Sequence, residues 1–520
     1  MESQNKFSEI ISSGYSFKGE SITMGAAILN GECLKEAKIK IPLKTLNRHG
    51  LIAGATGTGK TKTLQLIAEG LSEKSIPVLM MDIKGDLSGL AKAGELNPKI
   101  EERHNKIGEP YSPKAFPVEL LTISNEKGTR LRATVSEFGP VLFSKILELN
   151  DTQSGIVSLI FKYCDDKQLP LLDLKDFKKV IQHITGDGKK EIEESYGRIS
   201  TSSTGIILRK VIELEQQNAE LFFGEKSFEV DDLVRINDEG YGIISILRLV
   251  DIQSRPKLFS TFMLSLLAEI YASFPEEGDL DQPKLVIFVD EAHLIFNEAS
   301  KALLDQIETI IKLIRSKGVG IFFCTQNPTD IPPEVLSQLG LKVQHALRAF
   351  TAKDRQMIKL TAENYPISEF YKTDELLTSL GIGEAAITTL SEKGIPTALA
   401  ATLLCAPKSR MDVLNNSEID ELLGKSKLGD KYNKIVDRES AYEILNQKIQ
   451  IAAQQKIEQQ QEESQQSAGP KREKSTMENI LDSTITKQVG RTVARELTRG
   501  LLGVLGLGGS TSRSRKRSIF

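Results

Sequence analysis

Eight consecutive residues fill every fixed position of the pattern G-x-x-x-x-G-K-[ST]: Gly54, Ala55, Thr56, Gly57, Thr58, Gly59, Lys60 and Thr61. An apolar stretch precedes them and an apolar-periodic stretch follows, which predicts a strand, a glycine-rich loop and a helix in that order. Glycine permits a curled backbone whose N–H groups, together with the start of the helix, face the phosphates of a nucleotide. Lys60 would reach the β- and γ-phosphate oxygens, and the Thr61 hydroxyl would bind Mg²⁺. This segment, here called the phosphate loop, predicts a nucleoside triphosphate site, with Thr63 as a further nucleotide contact.

A second stretch supplies two consecutive acids. The hydrophobic run 285–289 ends in Asp290 and Glu291. The carboxyl ends of parallel strands meet at one edge of a sheet, so Asp290 is expected beside the Mg²⁺ at the phosphate loop. Glu291, one residue further, could polarise the attacking water as a general base. The alternative, an acidic helix cap after a buried strand, is less favoured downstream of a complete phosphate loop.

Two polar residues at the ends of other apolar runs are weaker candidates for the same edge. Gln326 follows the run 320–325 and could sense the γ-phosphate or hold the attacking water. It could equally cap the loop before Pro328. Asp82 ends the run 78–82 and could contact the nucleotide or tune the metal, although a turn-forming role is as good an explanation.

Two arginines are candidates for neutralising charge in a transition state. Arg315 precedes the run 320–325, and Arg355 lies beyond the next predicted strand. In related chemistry such an arginine usually acts across a subunit boundary. Simple solvation at the surface is the alternative for each.

The elements that must position these residues alternate between strands and helices. Candidate strands lie at 51–53, 78–82, 119–124, 241–247, 284–290, 320–325, 342–347 and 384–390. From 136 to 223 the strands stop, and helices are predicted at 141–149, 153–164, 174–184 and 203–217. An edge strand or hairpin is expected at 37–43, because Pro42 is unsuited to a central strand. The alternation predicts an α/β fold with an α-helical insertion at about 136–223.

Composition limits the classes of protein that the chain can represent. It has 520 residues and a net charge of −3, so any site for a polyanion must come from local patches. The four cysteines are far apart and predict reduced thiols rather than a paired metal site. We find no leader segment at the N-terminus and no apolar stretch approaching about 18 residues, which predicts a cytoplasmic protein.

The C-terminal part differs in composition from the rest. We expect a helical extension at 409–465, of which 437–465 has the spacing of an amphipathic, coiled-coil-like helix. A flexible linker and a basic amphipathic helix are expected at 466–520. The basic face of that helix is formed by Lys487, Arg491, Arg495 and Arg499. Contact with nucleic acid, an anionic lipid surface or an acidic protein is as good an explanation of this face as simple solvation.

Several motifs together resemble one superfamily. They are Asn47-Arg48-His49-Gly50 leading into the phosphate loop, Asp82–Asp86, Val289-Asp290-Glu291-Ala292-His293 and Gly320–Pro328. In these the chain is similar to the HerA/FtsK superfamily of ring ATPases. More narrowly, it resembles the HerA-helicase-like bacterial family, which also accounts for Phe138–Leu142, Leu149–Gln153 and Leu172–Asp176.

The resemblance implies a RecA-like core at 47–408, hydrolysis of ATP with Mg²⁺, hexamers with active sites between subunits, and motor action on double-stranded DNA. By matching position, the phosphate, metal, base and sensor roles pass to Lys60, Thr61, Asp290, Glu291 and Gln326. Arg315 inherits a possible finger role. The chain departs from well-studied HerA proteins in one respect. They carry an N-terminal β-barrel, whereas only a short strand region, 1–46, precedes the core here.

Two classes of function therefore remain open. The first is a DNA-dependent ATPase that translocates on or unwinds the duplex. The second is an ATP-gated assembly or membrane-associated protein, in which the basic tail docks on lipid or on a partner and DNA plays no part. Stimulation of ATP hydrolysis by duplex DNA that declines with salt distinguishes the first from the second.

Overall fold

The computed structural model describes residues 2–454 apart from 253–254, 279, 299–300, 435, 437 and 452–453. The described part divides into two compact units. The sheet unit comprises described residues of 1–132 and 226–435, and the helical unit those of 133–225 and 436–454. The predicted basic helix, with Lys487, Arg491, Arg495 and Arg499, lies outside the described residues. No helix in the described part is both long and apolar enough to span a membrane.

The strands and helices have the following bounds in chain order. The strands are β1 Ser21–Leu29, β2 Glu32–Pro42, β3 Gly50–Ala53, β4 Val78–Asp82, β5 Val118–Thr122, β6 Thr129–Arg130, β7 Ile244–Arg248, β8 Leu285–Val289, β9 Val319–Thr325, β10 Leu341–Gln344, β11 Glu384–Thr388 and β12 Ala400–Leu404. The helices are α1 Glu2–Gly14, α2 Lys60–Glu73, α3 Pro98–Ile107, α4 Val135–Ile146, α5 Asp151–Asp166, α6 Leu174–Thr185, α7 Lys189–Ser195, α8 Thr201–Gln216, α9 Pro256–Ser273, α10 His293–Glu298, α11 Lys301–Ile314, α12 Pro333–Leu336, α13 Ala352–Glu363, α14 Thr373–Ser379, α15 Asn416–Gly424 and α16 Lys427–Tyr432. Residues 441–451 are also helical.

Within the described residues the strands form one sheet, in the order β2-β1-β12-β11-β10-β3-β9-β8-β4-β7-β5-β6. From β10 to β6 every neighbouring pair is parallel, whereas β11, β12, β1 and β2 join antiparallel. The central strands β3, β8 and β9 are buried at every residue. Continuous apolar runs are what a parallel sheet covered on both faces requires. The predicted α/β fold is confirmed.

The N-terminal segment belongs to this sheet. β1 and β2 form an antiparallel hairpin, and β1 also pairs with β12. β2 is the edge strand, and Pro42 is its last residue, as the sequence predicts. The sequence pattern did not reveal α1, whose Phe7 and Ile11 are buried, as is Tyr15 immediately after the helix. The Tyr15 hydroxyl donates hydrogen bonds to the carbonyl oxygens of Ile387 and Ala398, which ties this helix to the sheet unit.

The helical unit contains α4 to α8, so the predicted α-helical insertion is present. Three of its helices begin where the sequence provides reciprocal caps, at Thr134 for α4, Asn150 for α5 and Asp173 for α6. Aromatic rings fill its core, with Phe143 packing against Phe161 and Phe177.

A buried carboxylate fastens the phosphate-loop helix to the segment after β12. Glu69 of α2 is 1% exposed. It accepts hydrogen bonds from the Lys408 backbone N–H at 2.7 Å, the Ser409 N–H at 3.0 Å and the Ser409 hydroxyl at 2.5 Å. Burial nevertheless raises the pKa of Glu69 to about 7. The carboxyl group therefore keeps its proton well above the pH at which an exposed glutamate loses it.

Replacing Glu69 by glutamine should weaken the pH dependence of stability. The folded state retains this proton up to about pH 7, whereas the unfolded chain releases it at about pH 4.3. The folded state thus binds more protons in that window, and stability falls as pH rises through it. In urea titrations, wild type should lose on the order of 3 kcal/mol more unfolding free energy across the window than Glu69→Gln. The exposed control Glu101→Gln should behave like wild type, and equal losses in wild type and Glu69→Gln would contradict this assignment.

Candidate nucleotide-binding site

The phosphate loop connects β3 to α2 in a backbone conformation that depends on glycine. Gly54, Gly57 and Gly59 have positive φ of 150°, 78° and 113°. At Gly54 a Cβ would lie 2.5 Å from the Cβ of His345. A side chain there would have both a strained backbone and a steric clash, so the loop needs glycine at this position.

Lys60 lies across the inner side of the loop. Its Nζ donates hydrogen bonds to the carbonyl oxygens of Gly54 at 2.6 Å and Ala55 at 3.1 Å. Burial lowers the pKa of Lys60, and the positive charge of Lys84 acts in the same direction. An anion bound in the loop would supply the negative partner that favours the charged ammonium.

The loop is supported from behind by a buried pair. The Thr63 hydroxyl is 2.9 Å from Nε2 of His345, and both side chains are buried. Burial, with the charge of Lys60, lowers the pKa of His345 to about 4, so the imidazole is neutral at physiological pH. The Thr63 N–H donates to the Gly59 carbonyl. Both the hydroxyl and the N–H of Thr63 thus have partners inside the protein. The direct nucleotide contact at Thr63 stays a prediction.

The acidic residues reach the same edge through strand pairing. β9 lies between β3 and β8, and β8 lies beside β4, all parallel. The carboxyl ends of these strands therefore share one edge with the phosphate loop. Asp290 is 3% exposed. Burial raises its pKa, whereas the charge of Lys84 opposes that shift. The thiol of Cys324, at the end of β9, donates a hydrogen bond to Asp290.

Glu291 is held in an unusual backbone conformation. Its φ is 45°, in the left-handed region that non-glycine residues seldom adopt. Its side chain is 7% exposed; one oxygen forms an ion pair with Lys84, and the other lies 3.1 Å from Nδ1 of His293. We call Asp290 and Glu291 the acid pair. Glu291 thus has a lysine partner, Lys84, to which the sequence pattern assigned no role.

Asp82 forms the turn after β4. Its carboxylate accepts backbone N–H groups from Gly85 at 2.7 Å, Asp86 at 3.1 Å and Leu87 at 3.2 Å. Burial and the nearby Asp86 carboxylate raise its pKa to about 7. Of the two explanations for Asp82, the turn-forming role is the one seen. The Thr61 hydroxyl donates to Asp86 at 3.1 Å, which brings a further acid to the phosphate loop.

Gln326 is exposed immediately after β9, on the edge that carries the acid pair. It does not cap the following loop. That cap is formed by Asn327 and Asp330, whose carboxylate also accepts the Thr325 hydroxyl at 2.5 Å. The position of Gln326 leaves the sensor hypothesis in place.

The two arginines lie at different ends of the sheet. Arg315 precedes β9, so it lies at the amino edge, roughly 23 Å along a seven-residue strand from the carboxyl edge. It is not part of the site formed by its own subunit. Arg355 is exposed in α13, which follows β10 on the phosphate-loop side.

The comparison with known families decides the classification. The family described as "Helicase HerA-like C-terminal" matches residues 28–512. The chain belongs to this family. The match covers the phosphate loop, the acid pair and Gln326, and it agrees with the resemblance inferred from the motifs.

Two curated relatives illustrate the extent of the match. A probable helicase of Methanocaldococcus jannaschii is 26% identical over 375 residues, covering 67% of this chain and 65% of the relative. The DNA double-strand break repair helicase HerA of Sulfolobus acidocaldarius is 24% identical over 361 residues, covering 67% and 64%. The chain thus spans slightly less than two thirds of the length of these relatives.

Solved structures support the HerA-like fold. The unbound monoclinic form of the bacterial conjugative coupling protein TrwBdeltaN70 aligns with a TM-score of 0.51 and 13% identity, covering 78% of this chain and 95% of that one. Plasmid coupling protein TrwB in complex with the non-hydrolysable ATP analogue ADPNP aligns with a TM-score of 0.50 and the same identity and coverage. At this identity the likeness establishes the fold alone, a RecA-like P-loop ATPase core.

Substituting Gly54 by alanine should weaken nucleotide binding. The new Cβ would meet His345 at 2.5 Å and require a φ of 150°. Relief of that strain should displace the loop and cost roughly tenfold or more in nucleotide affinity, measured by isothermal titration. Gly424→Ala is the matched control, because no atom lies within 4 Å of its Cβ position. Unchanged affinity in Gly54→Ala would contradict the requirement for glycine.

Proposed function

We propose that this chain is a ring ATPase of the cytoplasm that hydrolyses Mg-ATP and translocates on, or unwinds, double-stranded DNA. The observation that carries the proposal is the meeting of a complete phosphate loop and the acid pair at one edge of a parallel sheet. Membership of a helicase family supports DNA as the polymer. The named activity of the Sulfolobus relative and the ATP analogue bound to TrwB point the same way.

The residues present suit a magnesium ion that is shared with the nucleotide. Among the described residues, no group of three or more histidine, cysteine or acidic side chains could hold a metal alone. Mg²⁺ in nucleotide sites commonly uses only one or two protein ligands together with phosphate oxygens and water. The buried carboxylate of Asp290 and the hydroxyl of Thr61 are the ligands we assign. When bound, the ion neutralises charge that develops on the phosphate oxygens.

Hydrolysis requires a base, an orienting group and a phosphate clamp. Glu291 accepts a proton from the attacking water, and Gln326 orients that water or contacts the γ-phosphate. Lys60 changes partner from loop carbonyls to phosphate oxygens. The backbone N–H groups of the phosphate loop hold the remaining oxygens.

Assembly into a homo-oligomer, a hexamer by resemblance, completes the proposal. Arg315 can act as a finger only on the nucleotide of a neighbouring copy, because it lies at the far edge of its own sheet. Arg355 has a position closer to the phosphate-loop edge and is the second candidate.

A second candidate function is favoured by the sequence of the tail. Lys487, Arg491, Arg495 and Arg499 recur every four residues, which suits an anionic membrane or an acidic protein partner. In that case ATP would gate assembly, and duplex DNA would not affect hydrolysis.

Duplex DNA should stimulate ATP hydrolysis by the purified chain. We expect roughly tenfold or greater stimulation, because a motor couples polymer binding to its catalytic step. The effect should decline with salt, since phosphate contacts release counterions. The measurement is steady-state phosphate release with and without duplex DNA across a salt series.

Two variants serve as controls for that measurement. Glu291→Gln should bind ATP but lose hydrolysis, whereas Lys60→Ala should lose nucleotide binding. Hydrolysis that is abolished in Glu291→Gln yet unaffected by DNA would contradict the motor and favour the second candidate. Hydrolysis at the wild-type rate in Glu291→Gln would contradict the assignment of the base.

A further inference from the structure

Lys84 lies in a turn whose shape is fixed by hydrogen bonds. The Asp82 carboxylate accepts the N–H groups of Gly85, Asp86 and Leu87, and Gly85 has a φ of 77°. Because β4 and β8 are adjacent and parallel, this turn lies beside the acid pair. The Lys84 ammonium reaches across and forms an ion pair with Glu291.

The ion pair with Glu291 places the Lys84 ammonium beside two consecutive carboxylates, those of Asp290 and Glu291. Asp290 and Glu291 are both almost completely buried, and two such carboxylates would repel each other strongly without a nearby cation. Lys84 supplies positive charge that favours burial of both.

A divalent metal at Asp290 would supply the same positive charge. The Lys84 ammonium would then face a cation instead of an unneutralised carboxylate, so its attraction to the acid pair would weaken. Its side chain is 34% exposed, compared with 7% for Glu291, so it has an open route to solvent. Movement of Lys84 would free an oxygen of Glu291, which a general base needs.

We propose that Lys84 is an internal counter-cation that competes with Mg²⁺ for the acid pair and restrains Glu291 until the metal–nucleotide complex binds. This inference rests on the proposed function, since it assigns a positioning role towards the same metal and base. Until the complex binds, the Lys84 side chain supplies the positive charge that the metal later provides, and its departure couples metal binding to the release of the base.

The test is metal affinity, measured without catalysis. Mn²⁺ is titrated into protein saturated with a non-hydrolysable ATP analogue, and free Mn²⁺ is followed by electron paramagnetic resonance. Lys84→Met should bind Mn²⁺ at least roughly fivefold more tightly than wild type. The substitution removes the Lys84 ammonium, a partly buried positive charge that competes with the metal. Damage to the site would weaken binding, so tighter binding separates competition from a merely structural role.

Matched variants strengthen this experiment. Lys84→Arg keeps the charge and should stay within about twofold of wild type. Lys84→Gln should repeat the effect of Lys84→Met, which protects the test against poor folding of one variant. Lys92→Met removes a lysine whose ion-pair partner, Glu421, lies 3.7 Å away at the surface, and should bind Mn²⁺ as wild type does.

Metal-free protein offers a second readout. Without Mg²⁺, Lys84→Met should have a lower melting temperature than wild type, because the acid pair loses its cation. Addition of Mg²⁺ and the analogue should stabilise the variant more than wild type, since binding is tighter.

The outcomes separate this inference from the proposed function. Unchanged or weaker Mn²⁺ affinity in both Lys84→Met and Lys84→Gln, with wild type binding Mn²⁺, would overturn the competition and leave the metal site intact. Absence of nucleotide-dependent Mn²⁺ binding in wild type would overturn the metal site and this inference together.

Discussion

Burial of two consecutive carboxylates at the end of β8 is the constraint on which the site depends. Asp290 and Glu291 are almost completely buried, and a buried charge is tolerated only with a partner of opposite sign. Lys84 provides that partner from the turn that follows the neighbouring strand β4. Hydrogen bonds to the Asp82 carboxylate fix the shape of this turn. The order of β4, β8, β9 and β3 in the sheet places this charge arrangement beside the phosphate loop. The positions of the site residues therefore depend on the order of four parallel strands in the sheet.

The phosphate loop is specified by a second, steric constraint. Gly54 lies against His345, which follows β10, and the same histidine forms a hydrogen bond with Thr63 in α2. On one side of β3, β10 leads to the histidine that restricts the loop backbone. On the other side of β3, beyond β9, β8 ends at the acid pair. Burial of a neutral imidazole and a hydroxyl that bond each other carries little electrostatic penalty. Such a support can fix the loop without adding a charge that would compete with a phosphate.

The sequence predicts which residues form the site better than it predicts which residues they contact. The phosphate loop and the acid pair follow apolar runs, so the strand ends can be placed from the amino-acid pattern alone. Among the described side chains, the apolar residues of helix α1 that are buried are only Phe7 and Ile11, so the helix was not predicted. β12 lies in the near-continuous apolar run 398–406, which is typical of a buried strand, although no strand was predicted there. The Lys84–Glu291 pair was not predictable, because it requires that β4 and β8 be neighbours although about 200 residues separate them. The surroundings of Thr63 and the sheet edge on which Arg315 lies were not predictable for the same reason, because helix face and sheet edge are set by tertiary packing.

The most direct test of the account is whether Asp290 holds a metal only together with a nucleotide. Mn²⁺ binding is measured for wild type and Asp290→Asn, with and without a non-hydrolysable ATP analogue. The account predicts nucleotide-dependent Mn²⁺ binding in wild type and a loss of at least about tenfold in Asp290→Asn. Affinity for the metal-free analogue should remain comparable in the two proteins. Equal Mn²⁺ affinity in wild type and Asp290→Asn would contradict the assignment of this edge of the sheet as the metal–nucleotide site.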